Sequence, residues 1–281
     1  MRICDLHTHS NYSDGTLTPT ELVHEAASNG IDALALTDHN TVNGLEEFFA
    51  AGERYGVETV GGVELTCEYG GREVHMLGLF VTAESRDVIS EYCSKLTQSK
   101  YESNVRLVES LARAGYAIDS IEDIYARSGH GNVNRAHIAE SLIAHGHVSS
   151  VSEAFSDLLS PERGYYIPPV RPDAIATVRL IKRIGGLAVI AHPYLSLTPE
   201  QLESFLPKAK KEGLDGMETY YSKYSSETHT LARETAHRYA LLESGGSDYH
   251  GARKAEIALS SRDGFYTPYE VYIPLKKRSG R

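Results

Sequence analysis

Histidines and acidic residues recur at the ends of short apolar segments throughout this chain. His7 and His9 lie two residues apart at the end of the first such segment. Side chains at positions i and i+2 of a β-strand point to the same face, so two imidazoles at this spacing can reach one metal ion. Comparable motifs follow: Thr37-Asp38-His39-Asn40, Gly61-Gly62-Val63-Glu64, Glu73-Val74-His75, Ala191-His192-Pro193 and Ser247-Asp248-Tyr249-His250. A lone histidine at a strand end is usually structural, but this repetition predicts a metal site.

The same apolar segments predict an α/β fold. Seven candidate strands lie near residues 2–7, 32–37, 57–65, 73–80, 187–191, 215–219 and 241–246. Most are separated by helix-like stretches that begin near Thr18, Thr41 and Thr198, and strands that alternate with helices pair in parallel, with the helices outside the sheet. The strand that starts at Glu73 follows two glycines and is expected to run antiparallel. Seven strands can close into a barrel, in which chemistry gathers at the strand ends.

Residues 83–170 lack this alternation of strands and helices. Apolar side chains from Val88 to Ala112 recur at the spacing of an amphipathic helix, and further helices are indicated around Ile138 and Phe155. The sequence therefore predicts a barrel made of residues 1–82 and 171–281, and a helical insertion made of residues 83–170. We expect the insertion to cap the metal site.

Composition narrows the class of protein. Of the 281 residues, 41% are hydrophobic and 23% are charged, and no apolar run approaches the length of about twenty residues that spans a membrane. No apolar signal segment precedes the first motif, and the three cysteines lack a Cys-x-x-Cys spacing, so a cytoplasmic protein with free thiols is expected. The net charge of −10 argues against a broad nucleic-acid-binding face. Long nucleic acid is therefore disfavoured as a partner, and neither a membrane nor an obligate protein partner is indicated.

The ordered motifs resemble the polymerase-and-histidinol-phosphatase (PHP) family of metal-dependent phosphoesterases. The resemblance is carried by the first His-x-His pair, Tyr12-Ser13-Asp14-Gly15, Thr37-Asp38-His39-Asn40, Glu64 in the third strand, Ala191-His192-Pro193 and Gly245-Gly246-Ser247-Asp248-Tyr249-His250. It covers almost the whole chain and is weakest across the insertion. It implies a distorted seven-stranded (β/α) barrel with up to three metal ions.

The resemblance also implies a ligand set. It would place His7, His9, Glu64 and Asp248 on one ion, Glu64, His75 and His192 on a second, and Asp14, His39 and His250 on a third. Glu64 would then bridge two ions. Some relatives carry a histidine where this chain has Asp14, and an oxygen ligand there slightly favours Mn or Fe over Zn. The expected cofactors are therefore two or three divalent metal ions, Mn, Fe or Zn.

These ligands predict a phosphoesterase. Two close cations can supply hydroxide near neutral pH, and a third offsets charge on phosphoryl oxygens. The expected reaction is hydrolysis of a phosphate mono- or diester of a small metabolite (a nucleotide, nucleoside bisphosphate, sugar phosphate or cyclic phosphate) by a metal-bridging hydroxide. Asp38, His250 and a metal-bound water are candidates for protonating the leaving group. Asp38 is also a candidate for orienting a ligand imidazole.

Four further side chains are candidates for binding substrate phosphate. Arg135 and His137 lie in the insertion just before a predicted helix, in a segment that resembles the family. Arg171 lies where the chain returns to the barrel, and Lys223 follows the sixth strand. A guanidinium can bind an oxyanion through two hydrogen bonds, although a surface ion pair is the alternative for Arg171.

Two other functions remain open from the sequence. A 5′-to-3′ exonuclease acting on short RNA would need a basic, aromatic channel for several nucleotides, and the insertion is not clearly basic. A metal-bound accessory module without turnover is the third possibility, although the ligand set is complete.

Overall fold

The computed structural model describes residues 1–81, 85–128 and 133–280 of the chain. It separates into two compact units, one made of Met1–Glu91 with Arg171–Arg281 and the other of Tyr92–Val170. The functional division into a barrel and a capping insertion stays a prediction. Among the described residues, no helix is both long and apolar enough to cross a lipid bilayer.

One sheet contains all eight strands that are found in the described residues. They are β1 (Ile3–Asp5), β2 (Ala33–Leu36), β3 (Glu58–Tyr69), β4 (Arg72–Leu79), β5 (Leu187–Ile190), β6 (Leu214–Tyr221), β7 (Leu242–Gly246) and β8 (Thr267–Pro268). Their order across the sheet is β7-β6-β5-β4-β3-β2-β1-β8.

The predicted α/β barrel is confirmed, but the sheet has one strand more than the predicted seven. The additional strand, β8, is only two residues long and pairs antiparallel with β1. So short a segment carries no periodicity by which a sequence could reveal it. The antiparallel direction predicted for the strand after Glu73 is confirmed, because β4 runs antiparallel to both β3 and β5. The other neighbouring pairs are parallel.

The sheet is nearly closed by backbone hydrogen bonds between its first and seventh strands. The amide of Leu6 donates to the carbonyl oxygen of Gly245 at 3.0 Å, and the amide of Asp248 donates to that of His7 at 2.9 Å. These bonds join the carboxyl ends of β1 and β7. Residues from the two ends of the chain therefore become neighbours. Asp5 and Ser247, for example, are 242 positions apart and are joined by a hydrogen bond.

The helices of the described residues flank these strands or belong to the second unit. They are α1 (Pro19–Ser28), α2 (Leu45–Tyr55), α3 (Arg86–Arg113), α4 (Ile121–Arg127), α5 (Arg135–Ala144), α6 (Val151–Ser156), α7 (Ala174–Arg183), α8 (Pro193–Ser196), α9 (Pro199–Lys211), α10 (Ser226–Arg238) and α11 (Tyr269–Ser279). Short 3-10 turns occupy Pro161–Arg163 and Gly251–Lys254.

Local chemistry explains where several helices begin. Thr18 and Thr198 each accept a hydrogen bond from the amide three residues later, and a proline follows each of them at the first helical position. Both starts were predicted from these residues. Helix α2 begins later than predicted, because the hydroxyl of Thr41 accepts a hydrogen bond from the amide of Asn43 and holds the segment in a turn.

Each unit buries an apolar cluster of its own. In the barrel unit, Leu77 of β4, Val189 of β5 and Leu6, which directly follows β1, pack with Tyr272 and Leu275 of α11. In the Tyr92–Val170 unit, α3, α4 and α5 contribute Leu107, Leu111, Ile124, Ile138 and Leu142 to a separate cluster. Because the second cluster is built from helices, apolar residues in the middle of the chain recur at helical spacing and not as strand segments.

Candidate metal centre

The motif residues gather at one end of the barrel. His7 and His9 follow β1, His39 follows β2, His192 follows β5, and Asp248 and His250 follow β7. Parallel strands bring their carboxyl ends to the same edge. Because β4 is antiparallel, its first residues, including His75, also reach that edge, beside Glu64 in β3.

Glu64 lies at the centre of these side chains and is fully buried. Its Oε2 lies 3.2 Å from Nε2 of His7, 3.2 Å from Nε2 of His9 and 3.1 Å from Nδ1 of His39. Its Oε1 lies 2.8 Å from Nδ1 of His75 and 3.3 Å from Nε2 of His192. Both carboxylate oxygens therefore face imidazoles, as is required of a carboxylate that bridges two ions.

The four side chains predicted for the first ion are close together. One ligand atom from each of His7, His9, Glu64 and Asp248 lies within 4.8 Å of all the others. Oδ1 of Asp248 is 3.5 Å from Nε2 of His7 and 3.2 Å from Nε2 of His9. The other oxygen, Oδ2, accepts a hydrogen bond from the hydroxyl of Tyr221 at 3.0 Å, which leaves Oδ1 directed at the imidazoles.

The three side chains predicted for the third ion also meet. Asp14, His39 and His250 form one group of potential ligands together with His9, again with ligand atoms within 4.8 Å. Nε2 of His250 is 3.2 Å from Oδ1 of Asp14. Its Nδ1 donates to the backbone carbonyl of Asp248 at 2.8 Å, so Nε2 is the ring atom with a free lone pair.

The second predicted group is assembled with one difference. The structure groups His39 with Glu64 and His75, so His39 lies between the second and third predicted positions. His192 lies outside these groups of potential ligands, although its Nε2 is 3.3 Å from Oε1 of Glu64. Its backbone has a φ of 28°, in the left-handed region that residues with a side chain rarely adopt. Such backbone strain persists at functional positions where surrounding contacts hold it.

The donor set fits divalent metal ions. Nε2 of His7, His9 and His250, Nδ1 of His75, and both oxygens of Glu64 are buried and have no hydrogen-bond partner of acceptable geometry among the described residues. Buried polar atoms without partners are costly, by about 1–3 kcal/mol each. Imidazole nitrogens and carboxylate oxygens that converge in this way are the ligands of Zn, Mn and Fe.

The ionisation of these groups also suits metal binding. Burial opposes ionisation of Glu64, but the surrounding imidazoles, including those of His7 and His75, outweigh it and hold the pKa of Glu64 well below its usual value. Burial lowers the pKa of His39 to about 3, so its ring is neutral at neutral pH. Against the effect of burial, Glu64 and Glu73 raise the pKa of His75 to about 10. Binding of a metal ion at His75 would therefore displace a proton.

The carboxylate of Asp38 accepts three hydrogen bonds from the loop after β1. Its Oδ1 accepts hydrogen bonds from the amide of Ser10 at 2.7 Å and the hydroxyl of Ser13 at 2.6 Å, and its Oδ2 accepts one from the hydroxyl of Ser10 at 2.6 Å. Burial raises the pKa of Asp38. These contacts tie the segment between His9 and Asp14 to the end of β2, and the catalytic role predicted for Asp38 stays a prediction.

Sequence reasoning missed two carboxylates that contact histidines of the predicted ligand set. Glu218 accepts a hydrogen bond from Nδ1 of His7 at 2.9 Å, and Glu73 lies 3.1 Å from Nε2 of His75. The only local signal for Glu218 was its position near the end of a predicted strand, as for the motif acids. Glu73 lies within a motif that was noted for its histidine alone.

Two of the predicted substrate-binding residues lie in the Tyr92–Val170 unit. The guanidinium of Arg135 stacks over the ring of Tyr166 at 4.3 Å and that of Phe155 at 4.8 Å, and donates to the carbonyl of Leu159 at 3.3 Å. His137 accepts a hydrogen bond from the amide of Asn134 at 3.1 Å and helps to cap α5. Both residues thus have structural contacts, and their substrate roles stay predictions.

The other two predicted substrate-binding residues lie in the barrel unit. Arg171 pairs with Glu73, the carboxylate that faces His75, and its side chain is only 12% exposed. Lys223 follows β6, with its Nζ 3.5 Å from Oε1 of Glu256, and is 43% exposed. Arg171 therefore makes an ion pair, as the alternative interpretation expected, but the pair borders the histidine cluster. Lys223 remains available to solvent at the strand end that carries the cluster.

Comparisons with known proteins agree with this geometry. The PHP domain profile matches residues 5–167. A 5′-3′ exoribonuclease of Haemophilus influenzae is 33% identical over 88% of this chain and 89% of its own length. A phosphoribosyl 1,2-cyclic phosphate 1,2-diphosphodiesterase of Eggerthella lenta is 32% identical over 88% and 94%. A 3′,5′-nucleoside bisphosphate phosphatase of Chromobacterium violaceum is 31% identical over 89% and 88%.

A solved structure gives the same result. A candidate metal-dependent phosphoesterase from Bifidobacterium adolescentis superimposes with a TM-score of 0.83 at 30% identity, over 99% of this chain and 96% of its own. The match therefore extends across both units and is not confined to the motifs. Given the profile match, these relatives and the convergence of histidines and carboxylates around Glu64, the chain belongs to the PHP domain family and is a metal-dependent hydrolase of phosphoric ester bonds.

Proposed function

We propose that this protein hydrolyses phosphate mono- or diesters of a small metabolite, using two or three divalent Mn, Fe or Zn ions. The observation that carries the proposal is the position of Glu64, whose two buried oxygens face imidazoles of His7, His9 and His39 on one side and of His75 and His192 on the other. When bound, such ions supply hydroxide near neutral pH and offset the charge on phosphoryl oxygens.

Residues of this chain are proposed to bind the ions and to position the loop that carries one of the ligands. Glu64 is proposed as the bridging ligand, and Asp248 as the carboxylate that completes the His7 and His9 group. Asp14 and His250 are proposed to hold a third ion. Because Nδ1 of His250 already donates to the Asp248 carbonyl, we favour a ligand role through Nε2 over donation of a proton to the leaving group. Asp38 is proposed to hold the Ser10–Ser13 loop that carries Asp14 into position.

Two observations favour a small substrate. The net charge of −10 works against the phosphate contacts that dominate affinity for long nucleic acid. The Eggerthella lenta and Chromobacterium violaceum relatives are named for small phosphorylated compounds. The substrate classes that we propose are a nucleoside bisphosphate and a cyclic sugar phosphate.

A second candidate is trimming of short RNA from its 5′ end. The Haemophilus influenzae relative, at 33% identity, is named an exoribonuclease. RNA and a small bisphosphate both present a phosphoryl group next to a ribose, so the metal centre alone does not separate them. Binding to RNA would differ by its dependence on salt, because each phosphate contact releases counterions.

One assay separates these candidates. Phosphate release and product formation are measured with Mn²⁺ present on a nucleoside bisphosphate, a ribose cyclic phosphate, a sugar monophosphate and a 5′-phosphorylated RNA oligonucleotide. We expect at least one small ester to have a kcat/KM clearly above that of the oligonucleotide. A higher kcat/KM for RNA, lost on raising the salt concentration, would support the second candidate. Hydrolysis of none of them would contradict the proposed substrate classes.

The third ion is tested by an Asp14→Ala variant. Because Asp14 is proposed as its carboxylate ligand, the variant is expected to bind one ion fewer per chain, measured by elemental analysis after gel filtration. An Asp119→Ala variant is the matched control. Asp119 contacts Ser141, Arg127 and His145 within the second unit. An unchanged metal content in Asp14→Ala would contradict the proposed ligand set.

A further inference from the structure

We propose that Glu218 is a positioning residue that selects the metal-binding nitrogen of His7 and fixes the backbone of His192. This inference rests on the proposed function, because it takes both histidines as ligands. Glu218 lies on β6, which, among the parallel strands of the described residues, is the one that contributes no residue to the proposed ligand set. Its role is therefore to support ligands carried by β1 and β5.

The contacts of Glu218 connect two ligand segments that are distant in sequence. Its Oε1 accepts a hydrogen bond from Nδ1 of His7 at 2.9 Å, across 211 positions of the chain. Its Oε2 accepts a hydrogen bond from the backbone amide of His192 at 2.7 Å. The side chains of Glu218 and His7 are both fully inaccessible to solvent, so water cannot replace either contact.

The first contact determines which nitrogen of His7 faces the ions. An ionised carboxylate can only accept hydrogen bonds, so Nδ1 of His7 must carry a proton. In a neutral ring the lone pair then resides on Nε2, the atom that lies 3.2 Å from Glu64 Oε2 and 3.5 Å from Asp248 Oδ1. A carboxylate behind a ligand imidazole fixes the tautomer in this way and increases the basicity of the ligand nitrogen.

The second contact holds a strained part of the backbone. His192 has a φ of 28° and is followed directly by the short helix α8. A non-glycine residue in such a conformation is strained and persists only where its surroundings hold it. The hydrogen bond from the His192 amide to Glu218 supplies such a constraint, and it directs Nε2 of His192 towards Oε1 of Glu64 at 3.3 Å.

Replacing Glu218 by glutamine keeps the shape but cannot satisfy both partners. Two donors point at this side chain, Nδ1–H of His7 and the amide of His192, whereas a glutamine amide has one oxygen and one NH₂ group. If the oxygen faces His192, the NH₂ group faces His7 and forces its proton onto Nε2, the metal-binding atom. If the oxygen faces His7, two donors oppose each other at His192. Either orientation disturbs one ligand.

The test is metal affinity, measured without substrate. Mn²⁺ binding to the full-length Glu218→Gln variant is followed by isothermal titration calorimetry, with Glu243→Gln as the matched control. Glu243 lies on the neighbouring strand β7, and both its oxygens are also engaged, by Thr219, Arg233 and His237. Glu218→Gln is expected to weaken Mn²⁺ binding by about 10–100-fold, while Glu243→Gln retains the wild-type affinity. Equal affinity of Glu218→Gln and wild type, with both folded by circular dichroism, would overturn the inference.

A second measurement needs no variant at Glu218. In the Zn²⁺-loaded wild-type protein, a long-range ¹H–¹⁵N spectrum of the histidine rings should show the His7 proton on Nδ1. A proton on Nε2 would overturn the inference even if Glu218→Gln failed to fold. If the wild-type protein bound neither Mn²⁺ nor Zn²⁺, the proposed function itself would fail. Normal metal binding in wild type and Glu218→Gln alike would refute only the role of Glu218.

Discussion

Two of the three glutamates on strand β3, Glu58 and Glu64, share an element and differ in almost everything else. Glu58, at its first residue, accepts hydrogen bonds from the hydroxyls of Tyr269 at 2.7 Å and Tyr272 at 2.8 Å, and pairs with Lys276. Glu64, six residues later, is surrounded by imidazoles, and neither of its buried oxygens has a hydrogen bond of acceptable geometry. The strand thus carries one carboxylate that is satisfied within the protein and another whose oxygens face imidazoles without a hydrogen bond of acceptable geometry.

The contrast shows that one strand carries a glutamate that contributes to stability and another that is suited to metal binding. Glu58 attaches the C-terminal helix α11 to the sheet, and its partners are complete within the protein. Around Glu64 the fold accepts the cost of buried, unpartnered polar atoms, which metal ions can offset. Substitutions at the two glutamates should therefore have different consequences: loss of metal binding and activity at Glu64, and a modest loss of stability at Glu58.

The largest effect is expected for Glu64→Gln. Removal of the carboxylate charge between the imidazoles takes away the proposed bridging ligand, so hydrolysis of the best small ester should fall about a thousandfold or more, corresponding to several kcal/mol of transition-state stabilisation. Steady-state kinetics and elemental analysis of bound metal measure the effect. Glu58→Gln should retain at least half of the wild-type kcat/KM. Similar losses in both variants would remove the distinction between Glu58 and Glu64.

An intermediate effect is expected when metal is removed. Ligand binding to the folded state stabilises it by about 3 kcal/mol at a free concentration of 100 times Kd. Treatment with a chelator should therefore lower the denaturation midpoint of wild type, and Mn²⁺ should restore it. The same shift is expected in Glu58→Gln, because distant sites act additively. In Glu64→Gln the shift should be largely lost. A metal-induced shift of wild-type size in Glu64→Gln would place the ions elsewhere.

The smallest effect is expected for the stability of Glu58→Gln. Burial opposes ionisation of Glu58, but Lys276, Tyr269 and Tyr272 together outweigh it, so its pKa lies below the ordinary value of 4.5. Because this side chain is partly exposed, the loss should be only about 1 kcal/mol. A carboxyl with a depressed pKa contributes its stability above pH 4.5 and loses it as pH falls through the folded-state value. Urea denaturation of both proteins should therefore show a difference at pH 7 that narrows below pH 4.5. A constant difference would contradict this role.

Much of the barrel could be predicted because its signals are local. Apolar segments marked the seven longer strands, and capping threonines followed by proline marked the starts of α1 and α9. The two-residue strand β8 was missed because its pairing with β1 depends on residues more than 260 positions away, as the separation of 264 between Cys4 and Pro268 shows. Helix α4 was missed as well, since seven residues give little periodicity.

The sequence by itself determined which side chains could bind metal, because a His-x-His pair or a strand-end acid is recognisable from strand geometry alone. Only the tertiary structure decided how these potential ligands are grouped and which carboxylates hydrogen-bond to them. His39 belongs to two groups of potential ligands instead of one. Glu218 contacts the second ring nitrogen of His7, and Glu73 contacts that of His75. The physical reason is that a hydrogen bond between His7 and Glu218 joins residues 211 positions apart, and such a pair becomes adjacent only when parallel strands close into a barrel.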